Sequence, residues 1–207
     1  MRNNVFFQKN ISLLAIKHSQ LAKILNSLTI TVPARIFPSQ SGRISAEIQT
    51  VPGKSLLLHS AFDPCEESSS WARQQNISAN VFVLLGMGLG YPALALLKRS
   101  FSGKLAIVEN DIDIFKLALM SCDLEVLLSN ENISFYVGRE IDGLLPHLRQ
   151  AKAIHLSYGL FPPSYLLNSD FYEQISLCLD KIIYETKKMR DPQTCSILEE
   201  ALKEMAS

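Results

Sequence analysis

Several things are scarce in this 207-residue chain, and each scarcity narrows its chemistry. No apolar stretch approaches the roughly 20 residues that a bilayer-crossing helix needs, so a helical membrane anchor is not expected. Near the N-terminus Lys9, Asn10, Lys17 and His18 interrupt any apolar run, which argues against a secretory leader. Cys65, Cys122, Cys178 and Cys195 are scattered and form no C-x-x-C pair. That spacing argues against a zinc site and a disulfide framework, and it fits a reducing cytoplasm. Charge of one sign is missing too: 20 Lys and Arg balance 20 Asp and Glu, leaving no basic field to attract nucleic acid. The triplet Asn-Ile-Ser at Asn10, Asn76 and Asn132 matters only in a secreted protein and is read as coincidence. No low-complexity segment occurs.

With 47% apolar and 19% charged residues, the chain can bury a sizeable core, yet it is short for two full domains. The division read from the pattern is a helical and β-meander region over 1–62, then an α/β region over 63–207. In the first, Leu13, Leu14, Ile16, Leu21, Ile24, Leu25 and Leu28 recur at helical spacing, with a break near His18. Pro33, Pro38, Gly42, Pro52 and Gly53 then punctuate three short runs, Ala34–Phe37, Arg43–Gln49 and Ser55–His59, which read as an antiparallel meander. Asp63-Pro64 predicts a helix to about Gln75, with Asp63 as N-cap and Glu66 closing a capping box.

From Asn80 onward short apolar runs alternate with helical periods. Strands are expected at Val81–Leu85, Lys104–Glu109, Ile133–Val137 and Ala153–Ser157. Helices are expected at Pro92–Arg99, Ile112–Met120, Asp142–Gln150 and Phe171–Lys187, with Asp170 and Glu173 as a second capping box and a last helix over Thr194–Met205. That alternation predicts a Rossmann-like α/β fold with a mainly parallel sheet of about four βα units.

The strongest chemical signal is the glycine turn after the first of these strands. Gly86 stands at the strand end, Gly88 where a ligand could approach the backbone, and Gly90 where the helix packs closely; Pro92 suits the first turn of the helix. Unpaired N–H groups at such a helix terminus would favour an anion. Glu109 ends the next strand, 23 residues after Gly86, where its carboxylate could meet ribose hydroxyls, with Asp111 just beyond it. The pattern is G-x-G-x-G, since the third glycine position of a dinucleotide fingerprint is Tyr91. It is closer to the turn of methyltransferases that use S-adenosylmethionine. A tight turn with no ligand, and with a solvated Glu109, explains the same residues equally well.

Only one helix and a tail follow the fourth strand, too little for the further strands of a complete methyltransferase sheet. The run Phe161-Pro-Pro-Ser-Tyr165 only faintly echoes a catalytic Pro-Pro-x-Tyr, because no Asp or Asn precedes it. His59 with Ser60 and Asp63 invites a triad reading, but such close neighbours do not converge easily, and fixing the loop before the Asp63 helix is the expected role. His147 and His155 read as packing or surface residues. Tyr158, Phe161 and Tyr165 could line a pocket mouth or cover the sheet edge. Lys187, Lys188 and Arg190 suit a helix C-terminus.

Taken together, Phe7–Leu14, the stretch Leu58-His-Ser-Ala-Phe-Asp-Pro-Cys-Glu-Glu67, the turn Gly86-Met-Gly-Leu-Gly-Tyr91 and Val108-Glu-Asn-Asp-Ile-Asp-Ile-Phe115 resemble the N-terminal region of the motility accessory factor family. Those bacterial flagellin glycosyltransferases transfer nonulosonic acids from CMP-activated donors to Ser or Thr of flagellin. The resemblance covers roughly residues 5–140. It implies a domain that precedes the transferase core of a longer protein, with flagellin or that core as partner. It assigns no catalytic residue. The candidate ligands are accordingly a CMP-sugar nucleotide or S-adenosylmethionine, held by Gly86, Gly88, Gly90, Tyr91, Glu109 and Asp111; no metal is expected.

Overall fold

The computed structural model describes residues 2–51, 53–99, 101–150 and 155–188. The chain opens with a helical pair, α1 (Arg2–Lys17) and α2 (Ser19–Ser27), broken at His18 where the spacing placed the break. A three-stranded antiparallel sheet follows in the order β1-β2-β3: β1 (Ala34–Pro38), β2 (Ile44–Val51) and β3 (Lys54–Leu57). Helix α3 (Pro64–Arg73) leads into the α/β body.

That body is a four-stranded parallel sheet ordered β6-β5-β4-β7, built from β4 (Val81–Leu85), β5 (Lys104–Glu109), β6 (Ile133–Val137) and β7 (Leu156–Leu160). Numbered within this sheet the order is 3-2-1-4, the Rossmann-like arrangement in which the strand order reverses beside the first strand. Helices α4 (Tyr91–Lys98), α5 (Ile112–Ser121), α6 (Glu125–Leu128), α7 (Leu144–Gln150), α8 (Pro162–Leu167) and α9 (Ser169–Lys188) complete the chain order. All five residues of β4 are buried, because a central parallel strand is covered on both faces. One apolar cluster runs from Leu14, Leu21 and Leu25 through Ala46 and Ile48 to Phe82, Leu84, Ile107 and Phe115. A second, holding Val83, Leu85, Val108, Leu144, Tyr172 and Leu179, lies against α7 and α9.

Polar side chains pin the helical pair to the body. Asn10 donates to the Leu119 and Cys122 carbonyls at 2.8 and 2.7 Å and accepts the Leu124 N–H, so one buried amide closes the end of α5 and the start of α6. Lys116 donates to the carbonyls of Leu25 and Leu28 at the end of α2, where a cation offsets the helix dipole. Asp113 accepts the Thr31 hydroxyl and the Thr31 and Val32 N–H groups; burial raises its carboxyl, but these bonds hold it below the ordinary range.

The structure differs from the sequence reading at several elements. The last strand lies at Leu156–Leu160, three residues beyond the expected Ala153–Ser157, and residues 151–154 fall outside the described set. Gly159 lies inside this strand, where a Cβ would be 2.5 Å from Gln75 Oε1 and 2.8 Å from Phe82, so glycine marks close packing. The Asp63 cap forms, accepting the Cys65 and Glu66 N–H groups. The reciprocal arm does not: Ser60 Oγ takes the Asp63 N–H, while Glu66 pairs with Arg73 at 2.8 Å. Asp170 is likewise inside α9 instead of capping it, and Glu173 accepts the Tyr165 hydroxyl at 2.6 Å. The helix expected at Asp142–Gln150 splits into a 3-10 turn over Gly138–Gly143 and α7. Helices α6 and α8 are too short to show a period in sequence. The helix expected at Thr194–Met205 lies outside the described residues, as do Arg190 and Cys195.

Candidate functional site at the glycine turn

The turn between β4 and α4 sits at the carboxyl end of the parallel sheet, where open α/β folds bind ligands. Gly86, Gly88 and Gly90 all have positive φ, +88°, +53° and +97°, so the motif encodes a backbone path that other residues rarely adopt. The turn N–H groups are then spent on internal acceptors. Gly86 donates to the Val108 carbonyl and Gly90 to that of Met87, at 2.8 and 3.0 Å. Met87 donates to Glu109 Oε2 and Leu89 to His59 Nε2, both at 2.9 Å. The unpaired amides that the motif suggested are therefore occupied at these four positions.

The space above the turn is filled by side chains from elsewhere in the chain. A Cβ on Gly86 would overlap the Ser164 side chain, and one on Gly88 would lie 2.5 Å from His59 Nε2 and 3.4 Å from the Phe161 ring. A Cβ on Gly90 would meet Leu124 at 2.7 Å. Phe161 and Ser164 follow β7, so the crevice between β4 and β7 is occupied by the chain's own continuation.

His59 organises one wall. Fully buried, it stacks on Phe161 (ring centroids 5.1 Å apart) and meets the edge of Tyr91 at 5.0 Å. Its Nε2 accepts from Leu89, so Nδ1 carries the proton and faces Glu67 Oε2 at 3.2 Å. Burial lowers its basicity more than Glu67 raises it, which keeps the ring neutral. The expectation that His59 fixes the loop before α3 matches this geometry: Glu67 also accepts the Ser60 N–H at 3.1 Å. Tyr91 turns outward from the turn, and its hydroxyl donates to the Ile44 carbonyl at 2.9 Å.

Glu109 forms the other wall. Its carboxylate is 2% exposed and accepts from the Met87 and Asp111 N–H groups and, at 3.1 Å, from the Tyr172 hydroxyl. Burial outweighs these three donors and pushes its pKa up to about 7. The same burial, with Glu109 adjacent, drives the Tyr172 hydroxyl well above the ordinary phenol range. Asp111 spends Oδ1 on capping α5 through the Asp113 and Ile114 N–H groups. Beside it lies a cavity of about 250 Å³ bounded by Glu109, Asp111, Ser164, Asn168 and Tyr172. Ser164 Oγ is buried and has no hydrogen-bond partner.

The sequence therefore located the turn, Glu109 and Asp111, and the fold brings them within one hydrogen-bonded unit. It did not locate Tyr172, which is 63 residues from Glu109 in sequence and carries no motif. Phe161 stood in the sequence as a residue that could line a pocket mouth or cover the sheet edge, whereas Ser164 was visible only inside a weak Pro-Pro-x-Tyr echo. Among the described residues no group of three or more His, Cys, Asp or Glu side chains is placed to hold a metal ion, and no helix is long and apolar enough to cross a membrane.

No family model matches the chain. An uncharacterized protein of Treponema pallidum (strain Nichols) is 26% identical over 176 residues, which is 83% of this chain and 60% of that relative. Among solved structures, the MAf glycosyltransferase from Magnetospirillum magneticum AMB-1 superposes with a TM-score of 0.56 at 16% identity. The match covers 85% of this chain but 35% of that one. What is shared is the fold. The chain thus spans about 60% of the one relative and about a third of the other.

Proposed function

We propose that this chain is a Rossmann-like accessory unit of a motility accessory factor-type flagellin glycosyltransferase, working in the cytoplasm ahead of the catalytic core. The observation that carries this reading is the superposition on part of a larger MAf glycosyltransferase, together with the order of sequence features that resembles that family. In it, residues 63–207 are the scaffold, and the helical pair and meander of residues 1–62 meet flagellin or the remainder of a longer transferase chain. The packed glycine turn favours a supporting role over a catalytic one, because four of its backbone N–H groups are already bonded within the protein. A transfer assay with a CMP-activated nonulosonic acid and flagellin tests it. This chain alone transfers no sugar, whereas joining it to a transferase core that lacks such a unit raises transfer. Transfer by this chain alone, or no response of the core, contradicts the reading.

A second reading, a nucleoside-type ligand beside Glu109, is favoured by the cavity next to the turn. There Asp111 Oδ2 and the unpartnered Ser164 hydroxyl offer polar partners for hydroxyl groups. Such a ligand enters at Glu109 and Asp111, with Gly86, Gly88, Gly90 and Tyr91 shaping the wall. Calorimetry with CMP, CMP-sugars and S-adenosylmethionine separates the candidates. Cytidine binding joins this site to sugar transfer, tight adenosyl binding favours a methyltransferase-like protein, and no heat with any of them leaves the scaffold alone.

A further inference from the structure

A second cavity, of about 330 Å³, opens on the other flank of α4, between that helix, α3, the start of β2 and the end of α5. It shares only Tyr91 with the glycine turn. Its lining joins two kinds of surface. Ile44, Leu94 and Ala95 supply an apolar wall, while Arg43 and Lys98 bring two cations to the rim. Neither cation has an ion-pair or hydrogen-bond partner among the described residues. The acidic residue of the rim, Asp123, is already paired with Lys9 at 2.8 Å. Ser121, 7% exposed, also lines the cavity, and its hydroxyl is buried with no partner. Buried hydroxyls in folded proteins are nearly always satisfied, so a lone one beside two unspent cations marks a place for an acceptor.

We propose that this cleft binds a small phosphomonoester, with its dianion between Arg43 and Lys98 and its carbon body against Ile44 and Leu94. A guanidinium fork and an ammonium match two negative charges better than the single charge of a carboxylate. The volume sits at the lower end of ligand cavities, which suits a compact molecule. Two free thiols report on the site, since Cys65 and Cys122 both line it and Cys178 is exposed elsewhere on α9.

The probes are inorganic phosphate, glycerol phosphate and glycerol, titrated into the whole chain by calorimetry. Glycerol phosphate binds most tightly, phosphate less so, and glycerol not at all. The Arg43→Ala/Lys98→Ala double variant loses at least about tenfold in affinity, the scale of one charge-assisted hydrogen bond. Ser121→Ala also weakens binding and leaves the fold intact, because the hydroxyl it removes has no partner. Glycerol phosphate slows iodoacetamide modification of Cys65, mapped by peptide mass, and leaves Cys178 unchanged. Absence of binding, equal affinity in the double variant, or unprotected Cys65 overturns the assignment.

Discussion

The glycine turn and the cleft across α4 share Tyr91 and otherwise differ in nearly every respect. The turn carries the one motif that stands out in the sequence, and its backbone donors and crevice are taken up by Glu109, His59, Phe161 and Ser164. The cleft carries no motif, yet it is open and holds unspent charge. The difference teaches that a glycine pattern specifies a backbone path, while vacancy depends on what distant parts of the chain place above it. Gly86 is required because Ser164 lies over it, as a ligand would in a fold where that crevice is open.

Substitutions at the turn give the largest test of that contrast. Gly86→Ala combines left-handed backbone strain with overlap against Ser164, and should cost about 4 kcal/mol in denaturant unfolding. Gly42→Ala has a similar φ of +76° with open space around it, and should cost only about 1 kcal/mol. Equal losses would mean that Ser164 does not close the turn. His59→Ala should come next, at about 3 kcal/mol, since it leaves the buried Leu89 N–H without an acceptor and opens a void beside Phe161. A loss below 1 kcal/mol by the same measurement would show that the ring is peripheral.

Glu109 gives a pH-dependent comparison. Its folded pKa of about 7 lies above the ordinary 4.5, so between those values the folded state binds more protons than the unfolded one. This group's contribution is complete below about pH 4.5 and is lost as pH rises through 7, about 3 kcal/mol in all. Unfolding titrations should show a shallower decline over that window in Glu109→Gln, and parallel curves would show that the carboxylate is solvated. The smallest effect belongs to the cleft. Arg43→Ala and Lys98→Ala are surface changes and should alter stability by less than about 0.5 kcal/mol while removing anion binding.

How much of this was legible in the sequence depended on the range of the interaction. Strands β4 and β5 have the limits that their apolar runs set, because a buried parallel strand writes itself as a continuous stretch. The caps of α3 and α5 are local side-chain bonds; Asp63 was visible as the first, and the second was narrowed to Asn110 or Asp111, of which Asp111 caps the helix. The second arm of the α3 capping box was misread because Arg73, seven residues on, competes for Glu66. The turn, Glu109 and Asp111 were readable as a constellation. Its closure by Tyr172 and Ser164 was not, since those contacts come from residues far along the chain and depend on the sheet order, and Phe161 was read only as a pocket-mouth or sheet-edge residue.

A closed turn requires the Met87 and Leu89 amides to be bonded to Glu109 and His59. Amide hydrogen exchange at these two residues, followed by NMR with and without CMP or S-adenosylmethionine, tests that most directly. Both amides should exchange only on global unfolding, at rates that neither compound changes. Fast exchange in the free protein, slowed by either ligand, would instead mean that the turn is an open cradle waiting for an anion.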